Sequence, residues 1–400
     1  MSVSLPCALR RAALLSALAV LMLPAWADEP VTGTGATFPA KVYLQWAEDH
    51  TRLTREPVKY LPAGSSAGVK AVSEGTVDFG ASDVPLSAAE LEKRGLFQFP
   101  TLVGGIVPFV NLPGVANGQL RLDAPTLARI WAGSISRWND TAIRQLNPDL
   151  ELPALPIQRV VRSDGSGTTT VFVQYLRQAA PEQAAGIEPD GGRARWPGNT
   201  QGADGSSKLV AAVKATPGAI GYASSDYTVR DRLTAVSLRN PRGEFVQPDL
   251  PAFRAAIVAG GLFKNGLTPT PLLATQGAGA WPIVTATYVL VPSQPQSLER
   301  AARTLGFFYR SFLLGDKAVA GTGFAPLPVA TQARIVALLS GFRTRDGVPV
   351  PVIGRAEGSL TNAPTPCRVS TRPSLRNCAI ASRTTERLTA SVLARTCSVG

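Results

Sequence analysis

Small polar residues open predicted helices at three places in the sequence. These segments are 34–38 (TGATF), 64–68 (GSSAG) and 164–168 (DGSGT). A helix N-terminus leaves backbone N–H groups unpaired and carries a partial positive charge. Glycine lets an anion approach those groups, and Ser or Thr adds a hydroxyl donor. Ordinary helix capping explains any one of these segments, whereas three together favour a cradle for an oxyanion.

Two charged residues accompany these segments. Asp83 ends the run 80–83 (GASD), and Arg162 lies two residues before Asp164. A guanidinium offers a fork of donors to a tetrahedral oxyanion, whereas an ionised carboxylate can only accept hydrogen bonds. Taken singly, Asp83 also fits a turn or helix cap, and Arg162 also fits a surface ion pair with Asp164.

The elements that must position these residues alternate between strand-like and helical runs, which is the α/β pattern. Helices are predicted at 42–54, after 64–66, after Asp123, after Ser166, at 305–314 and at 331–339. Strands are predicted at 58–61, 77–81, 105–110, 157–161, 219–222 and 283–291. Two of these strands therefore lead directly into Asp83 and Arg162.

The composition argues against several classes of enzyme. His50 is the one histidine in the chain, and none of the four cysteines lies between residues 28 and 354. A Ser-His or Cys-His hydrolase, or a site built from several histidines, would have to use His50 for every role. The run 165–168 (GSGT) lacks the lysine and the spacing of a nucleotide P-loop. We therefore expect no metal and no cofactor.

The first 27 residues are typical of a secretory signal peptide. Arg10 and Arg11 precede an apolar run, and 25–27 (AWA) is a small-x-small cleavage pattern. Cys7 precedes the apolar run instead of marking the cleavage point, so a lipid anchor is not expected. We predict a soluble, exported mature chain that begins at Asp28.

Residues 355–400 form a basic tail. It holds seven arginines against two glutamates, together with Cys367, Cys378 and Cys397. The cysteine spacing fits no zinc pattern, and the composition predicts disorder. Of the net charge of +12, the tail carries five and the signal two, which leaves five for the body. No basic stripe with interleaved aromatic residues is found in that body, so nucleic acid is not an expected partner.

The body of the chain, from about residue 31 to about 353, resembles the periplasmic phosphate-binding proteins of ABC-type phosphate importers, the PstS family. The resemblance rests on segments in the same order along the chain. They are 32–47 (TGTGATFPAKVYLQWA), 64–72 (GSSAGVKAV), 76–87 (TVDFGASDVPLS), 97–114 (FQFPTLVGGIVPFVNLPG), 137–148 (RWNDTAIRQLNP), 161–169 (VRSDGSGTT), 217–222 (PGAIGY) and 280–291 (AWPIVTATYVLV). The tail has no counterpart in the family.

The resemblance implies a fold and a site. The fold is an α/β type II periplasmic binding protein, with two lobes, each a mixed sheet flanked by helices, and a ligand cleft between them. One lobe would comprise 28–111 plus 285–354, and the other 112–284. Carried over by motif, the phosphate-binding residues are Thr37, Phe38, Ser65, Asp83, Arg162, Ser166, Gly167 and Thr168. Asp164 would hold Arg162 by an ion pair.

The function implied is binding of inorganic phosphate in the periplasm and its delivery to the transmembrane permease of an ABC importer, which works with a cytoplasmic ATPase. The protein would be a monomer and not an enzyme. Two alternatives stay open, a secreted phosphatase or phosphoesterase and a receptor for another protonated oxyanion such as arsenate. A secreted phosphatase is disfavoured because no base lies evidently beside a serine nucleophile.

Overall fold

The computed structural model describes residues 29–261 and 272–352. Helices and strands alternate through those residues. The helices are α1 (Ala40–Thr54), α2 (Ser65–Ser73), α3 (Ala88–Arg94), α4 (Ala124–Trp131), α5 (Thr141–Leu146), α6 (Gly167–Ala179), α7 (Gly205–Ala215), α8 (Ser225–Arg230), α9 (Leu250–Gly260), α10 (Leu298–Leu314), α11 (Asp316–Val319) and α12 (Val329–Ser340). The strands are β1 (Val31–Gly35), β2 (Val58–Pro62), β3 (Phe79–Ser82), β4 (Leu96–Val110), β5 (Arg121–Leu122), β6 (Gln158–Arg162), β7 (Glu188–Asp190), β8 (Arg193–Arg195), β9 (Gln201–Ala203), β10 (Ala219–Ser224), β11 (Thr234–Ala235), β12 (Ser237–Arg239), β13 (Phe245–Val246), β14 (Leu272–Leu273), β15 (Ile283–Pro292) and β16 (Ala325–Pro326).

Every helix and strand predicted from the sequence is present, but β4 begins at Leu96, nine residues before the predicted start, and α10 begins at Leu298, seven residues before it. The predicted signal peptide, the start of the mature chain at Asp28 and the tail at 355–400 with its cysteines lie outside the described residues. Among the described residues, no helix combines the length and the apolar character that crossing a bilayer requires.

The main sheet has the strand order β2-β1-β3-β15-β4-β10-β6-β9. On one side β1 pairs in parallel with β2 and β3, and on the other β6 pairs in parallel with β9 and β10. The long strand β4 pairs with β15 through residues 96–105 and with β10 through residues 106–110. A single strand thus runs from one half of the sheet into the other.

β4 ends at Val110 and β15 begins at Ile283, next to the predicted crossings at 111–112 and 284–285. The division into lobes of 28–111 plus 285–354 and 112–284 stays a prediction. Asp28 and residues 353–354 of those ranges are outside the described part of the chain.

Aromatic side chains pack against both halves of the sheet and stabilise them. In the first half, Phe308 of α10 contacts Tyr43 of α1 and Phe79 of β3, with ring centroids 6.0 and 5.0 Å apart. In the second, Trp131 of α4 lies 5.4 Å from Phe172 of α6. Each fully buried aromatic side chain contributes about 2–3 kcal/mol. The helix that begins at Gly167 is therefore held by aromatic packing in the core.

Candidate functional site

Asp83 lies at the centre of the site, directly after β3, and its side chain is almost completely buried. Its Oδ1 atom accepts a hydrogen bond of 2.8 Å from the Thr287 hydroxyl, and Oδ2 accepts one of 3.4 Å from the Thr168 hydroxyl. Its backbone N–H donates to Ser65 Oγ at 3.3 Å. Because Ser65 Oγ accepts that bond, its own proton can be donated to a ligand.

Burial disfavours the ionised carboxylate and raises the pKa of Asp83 to about 7. Hydrogen bonds from Thr287 and Thr168 and the positive charge of Arg162 oppose the rise. This group therefore changes its protonation state near neutral pH.

Arg162 ends β6 and is also buried. Its guanidinium forms a two-pronged ion pair with Asp164, through Nε to Oδ1 at 2.6 Å and through Nη2 to Oδ2. Although burial works against it, the bonds from Arg162 and from the Gly205 N–H hold the pKa of Asp164 below its usual value. Nη1 of Arg162 donates to Thr37 Oγ1 at 3.1 Å and to Ser206 Oγ at 3.0 Å.

The second and third loops meet each other at the site. The Ser66 N–H donates to the Gly165 carbonyl at 3.0 Å. Ser166 caps α6, because its Oγ accepts a hydrogen bond from the Thr169 N–H at 3.2 Å. Gly64 has φ +94°, and a Cβ there would lie 2.6 Å from Asp164 Oδ2. Only glycine fits this close approach in that backbone conformation.

The first loop differs from the prediction. Thr34 and Gly35 end β1, and α1 begins only at Ala40, so this loop is a strand end followed by a turn. Pro39 is the N-cap of α1, and a proline disfavours helical backbone at the preceding residue. The ring of Phe38 is buried and packs 5.1 Å from Phe324. Phe38 can therefore reach a ligand through its backbone N–H alone.

Hydrogen bonds and close contacts bring most of the predicted residues together. Thr37, Arg162 and Asp164 form one linked set, and Ser65, Asp83 and Thr168 form another. The remaining three lie next to them in the sequence. These are Phe38, Ser166 and Gly167. Two cavities reach the edges of these sets, one of about 610 Å³ at Thr37 and Asp164 and one of about 500 Å³ at Ser65 and Gly167.

Two residues that were not predicted from the sequence, Ser206 and Thr287, also contact the predicted site residues. Ser206, at the start of α7, bonds Thr37 at 2.7 Å as well as Arg162. The run 204–207 (DGSS) has the same small polar composition as the three loops, so a signal for it existed. Thr287 lies inside β15, in a run that looks like an ordinary buried strand, and nothing in the sequence alone points to it.

This arrangement suits a small tetrahedral oxyanion. The donors are neutral hydroxyls, the N-terminal N–H groups of α2 and α6, and one guanidinium that Asp164 already balances. Asp83 supplies an acceptor. Within residues 29–261 and 272–352, no group of three or more His, Cys, Asp and Glu side chains could hold a metal ion.

Comparison with known proteins agrees with this geometry. A model of the PBP superfamily domain matches residues 24–311. The phosphate-binding protein PstS of Xylella fastidiosa strain Temecula1 is 38% identical over 300 residues, which cover 74% of this chain and 81% of that protein. The chain belongs to the PstS family. PstS of Pasteurella multocida is 35% identical over 329 residues, covering 82% of this chain and 95% of that protein.

Solved structures agree on the fold. A phosphate-binding protein from Stenotrophomonas maltophilia superposes with a TM-score of 0.63 at 22% identity, covering 82% of this chain and 98% of that one. A high-affinity periplasmic phosphate-binding protein solved with phosphate bound gives 0.63 at 21% identity, with the same coverage. The resemblance to the PstS family and the predicted periplasmic-binding-protein fold are thereby confirmed.

Substituting Gly167 by Ala tests the contact between the start of α6 and the Asp83 region. The added Cβ would lie 2.5 Å from Ser65 Oγ and 2.9 Å from Asp83 Cβ. Because the methyl group would push Ser65 and Asp83 out of position, the ligand should lose about one hydrogen bond, and oxyanion affinity should fall about 10-fold in calorimetric titration. Gly202→Ala in β9 is the control, since its Cβ would have its nearest neighbour at 3.4 Å. Equal affinities of both variants would contradict the predicted contact.

Proposed function

We propose that this protein binds inorganic phosphate in the periplasm and delivers it to the transmembrane permease of an ABC-type phosphate importer. The bound ion would contact Thr37, Phe38, Ser65, Asp83, Arg162, Ser166, Gly167 and Thr168, with Ser206 as a further hydroxyl beside Arg162. The protein would act as a monomer, without a cofactor, and as a receptor, not an enzyme.

The single observation that carries the proposal is a buried carboxylate, Asp83, among donors that suit an anion. Near neutral pH the mono- and dihydrogen forms of phosphate both keep at least one P–OH group, whereas sulfate keeps none. An ionised Asp83 can accept the P–OH proton. With sulfate bound, the Asp83 carboxylate would face a lone pair of a sulfate oxygen with no proton between the two oxygens. The buried site holds little water that could compensate for this repulsion.

The PstS relatives and the superfamily match support the proposed binding of phosphate. The relatives from Xylella fastidiosa and Pasteurella multocida are both named phosphate-binding protein PstS. The resemblance to the PstS family then implies delivery to a permease that works with an ATPase. Export through the predicted signal peptide would bring this chain to the periplasm.

Parallel titration of the purified, phosphate-stripped protein with phosphate and sulfate tests the proposal. At about pH 9 we expect phosphate to bind tightly and sulfate to bind at least about 100-fold more weakly, because sulfate needs a protonated Asp83 and that pH is about two units above the pKa of Asp83. Arsenate, which protonates much as phosphate does, should bind nearly as well. Equal affinities for phosphate and sulfate would overturn the assignment. Release of nitrophenol from nitrophenyl phosphate would overturn the receptor role.

A further inference from the structure

Thr287 is a buried hydroxyl that the predicted site does not include. It lies on β15 two residues after Thr285, so the two side chains point to the same face of the strand. Both contact Asp83. Thr285 Oγ1 donates to the Asp83 backbone carbonyl at 2.9 Å, and Thr287 Oγ1 donates to the Asp83 carboxylate at 2.8 Å.

Neighbouring elements hold the main chain at Thr287. The Thr287 backbone carbonyl accepts a hydrogen bond of 3.1 Å from Thr101 Oγ1, and Thr101 is in turn bonded to the Tyr43 hydroxyl at 2.5 Å. The pairing of β15 with β4 shifts register between Thr287 and Tyr288, and such irregularities re-aim side chains. The main chain that carries this donor is therefore held by β4 and α1.

We propose that Thr287 is a positioning residue for oxyanion selectivity: its hydroxyl occupies Oδ1 of Asp83 and leaves Oδ2 to face the ligand. This inference rests on the proposed function. Oδ2 has the longer bond, 3.4 Å to Thr168, which a ligand proton can replace. Without the Thr287 hydroxyl, neither carboxylate oxygen of Asp83 would be held by a short hydrogen bond, and either oxygen could face the ligand.

The bond has a second consequence, because it stabilises the ionised carboxylate. Thr287 opposes the burial that raises the pKa of Asp83. The other ionisable groups that act on Asp83 are Arg162 from β6, Tyr43 from α1 and Tyr60 from β2. Burial raises the pKa of both tyrosines, which therefore stay neutral. Replacing Thr287 by Val removes the hydroxyl and leaves Arg162 and both tyrosines unchanged.

Sulfate gives a direct readout of this role. It carries no proton, so it binds best when Asp83 supplies one. Its affinity should be constant at low pH and fall about tenfold per pH unit once Asp83 ionises. A hydrogen bond to a charged group corresponds to a shift of about one to two pH units. In Thr287→Val the pH at which sulfate affinity begins to fall should therefore rise by that amount.

The experiment titrates wild type, Thr287→Val, Thr287→Ser and Thr285→Val with sulfate and with phosphate, from about pH 5.5 to about pH 9.5. Thr287→Ser keeps the hydroxyl and should restore the wild-type profile. Thr285→Val is the matched control, since its hydroxyl bonds the main chain of Asp83 and not its carboxylate.

An unshifted sulfate profile in Thr287→Val, with phosphate still bound, would overturn the inference. An equal shift in Thr285→Val would also overturn it, because the effect would then come from altered packing. These outcomes differ from failure of the proposed function, in which the wild-type protein itself binds no phosphate.

Discussion

Asp83→Asn is expected to lower the ratio of phosphate affinity to sulfate affinity by about 100-fold at about pH 9, which is about two pH units above the pKa of Asp83, while phosphate binding weakens much less. At that pH the wild-type carboxylate is ionised and can only accept a proton. An asparagine amide also donates, so sulfate would meet a donor where it now meets a lone pair. Competition titration with both anions measures the ratio. An unchanged ratio would remove Asp83 from its proposed role.

The ligand-free protein offers an independent check on the same variant. The folded-state pKa of Asp83, about 7, is above its ordinary value of 3.8. Between those two values the folded protein holds a proton that the unfolded chain has released, so the stability contributed by this group falls as pH rises. Asp83→Asn should therefore stabilise the empty protein relative to wild type above pH 7, by about 4 kcal/mol in the limit, and much less below about pH 4. Denaturant unfolding at both pH values measures the difference.

Candidate site residues could be predicted from the sequence where their positions depend on the pattern of neighbouring residues. Asp83 and Arg162 could be found because each follows a predicted strand and lies near small residues that open helices. Those segments depend on rules that act within a few residues, such as the need for glycine at Gly64, where φ is positive. The family motifs then assign roles that spacing alone leaves open.

The site residues that could not be predicted from the sequence depend on contacts between residues far apart in the chain. Ser206 joins the site because it bonds Thr37, which lies 169 positions earlier in the chain. Thr287 reaches Asp83 across 204 positions, from a strand that is buried along almost its whole length. A threonine in such a strand is favoured by β-propensity alone, so its role appears only when the strands are paired.

Arg162→Ala is expected to weaken binding of phosphate, arsenate and sulfate alike, by about 100-fold or more, which corresponds to about 2.7 kcal/mol. The guanidinium is the full positive charge that the site offers, and without it Asp164 adds an unbalanced negative charge. The ratio of phosphate to sulfate affinity should fall less than in Asp83→Asn, because loss of the guanidinium raises the pKa of Asp83 but leaves its carboxylate in place.

Two further variants separate a role in binding from a role in folding. Arg159→Ala removes another buried arginine from β6, whose hydrogen bonds within the described part of the chain go to the main-chain carbonyls of Trp131 and Asn199. It should lower the melting temperature and leave oxyanion affinity unchanged. The double variant Arg162→Ala with Asp164→Asn should recover part of the lost affinity, because it removes the unbalanced charge. Wild-type affinity in Arg162→Ala would mean that the guanidinium does not contact the ligand, and that the hydroxyls and helix N-termini alone hold it.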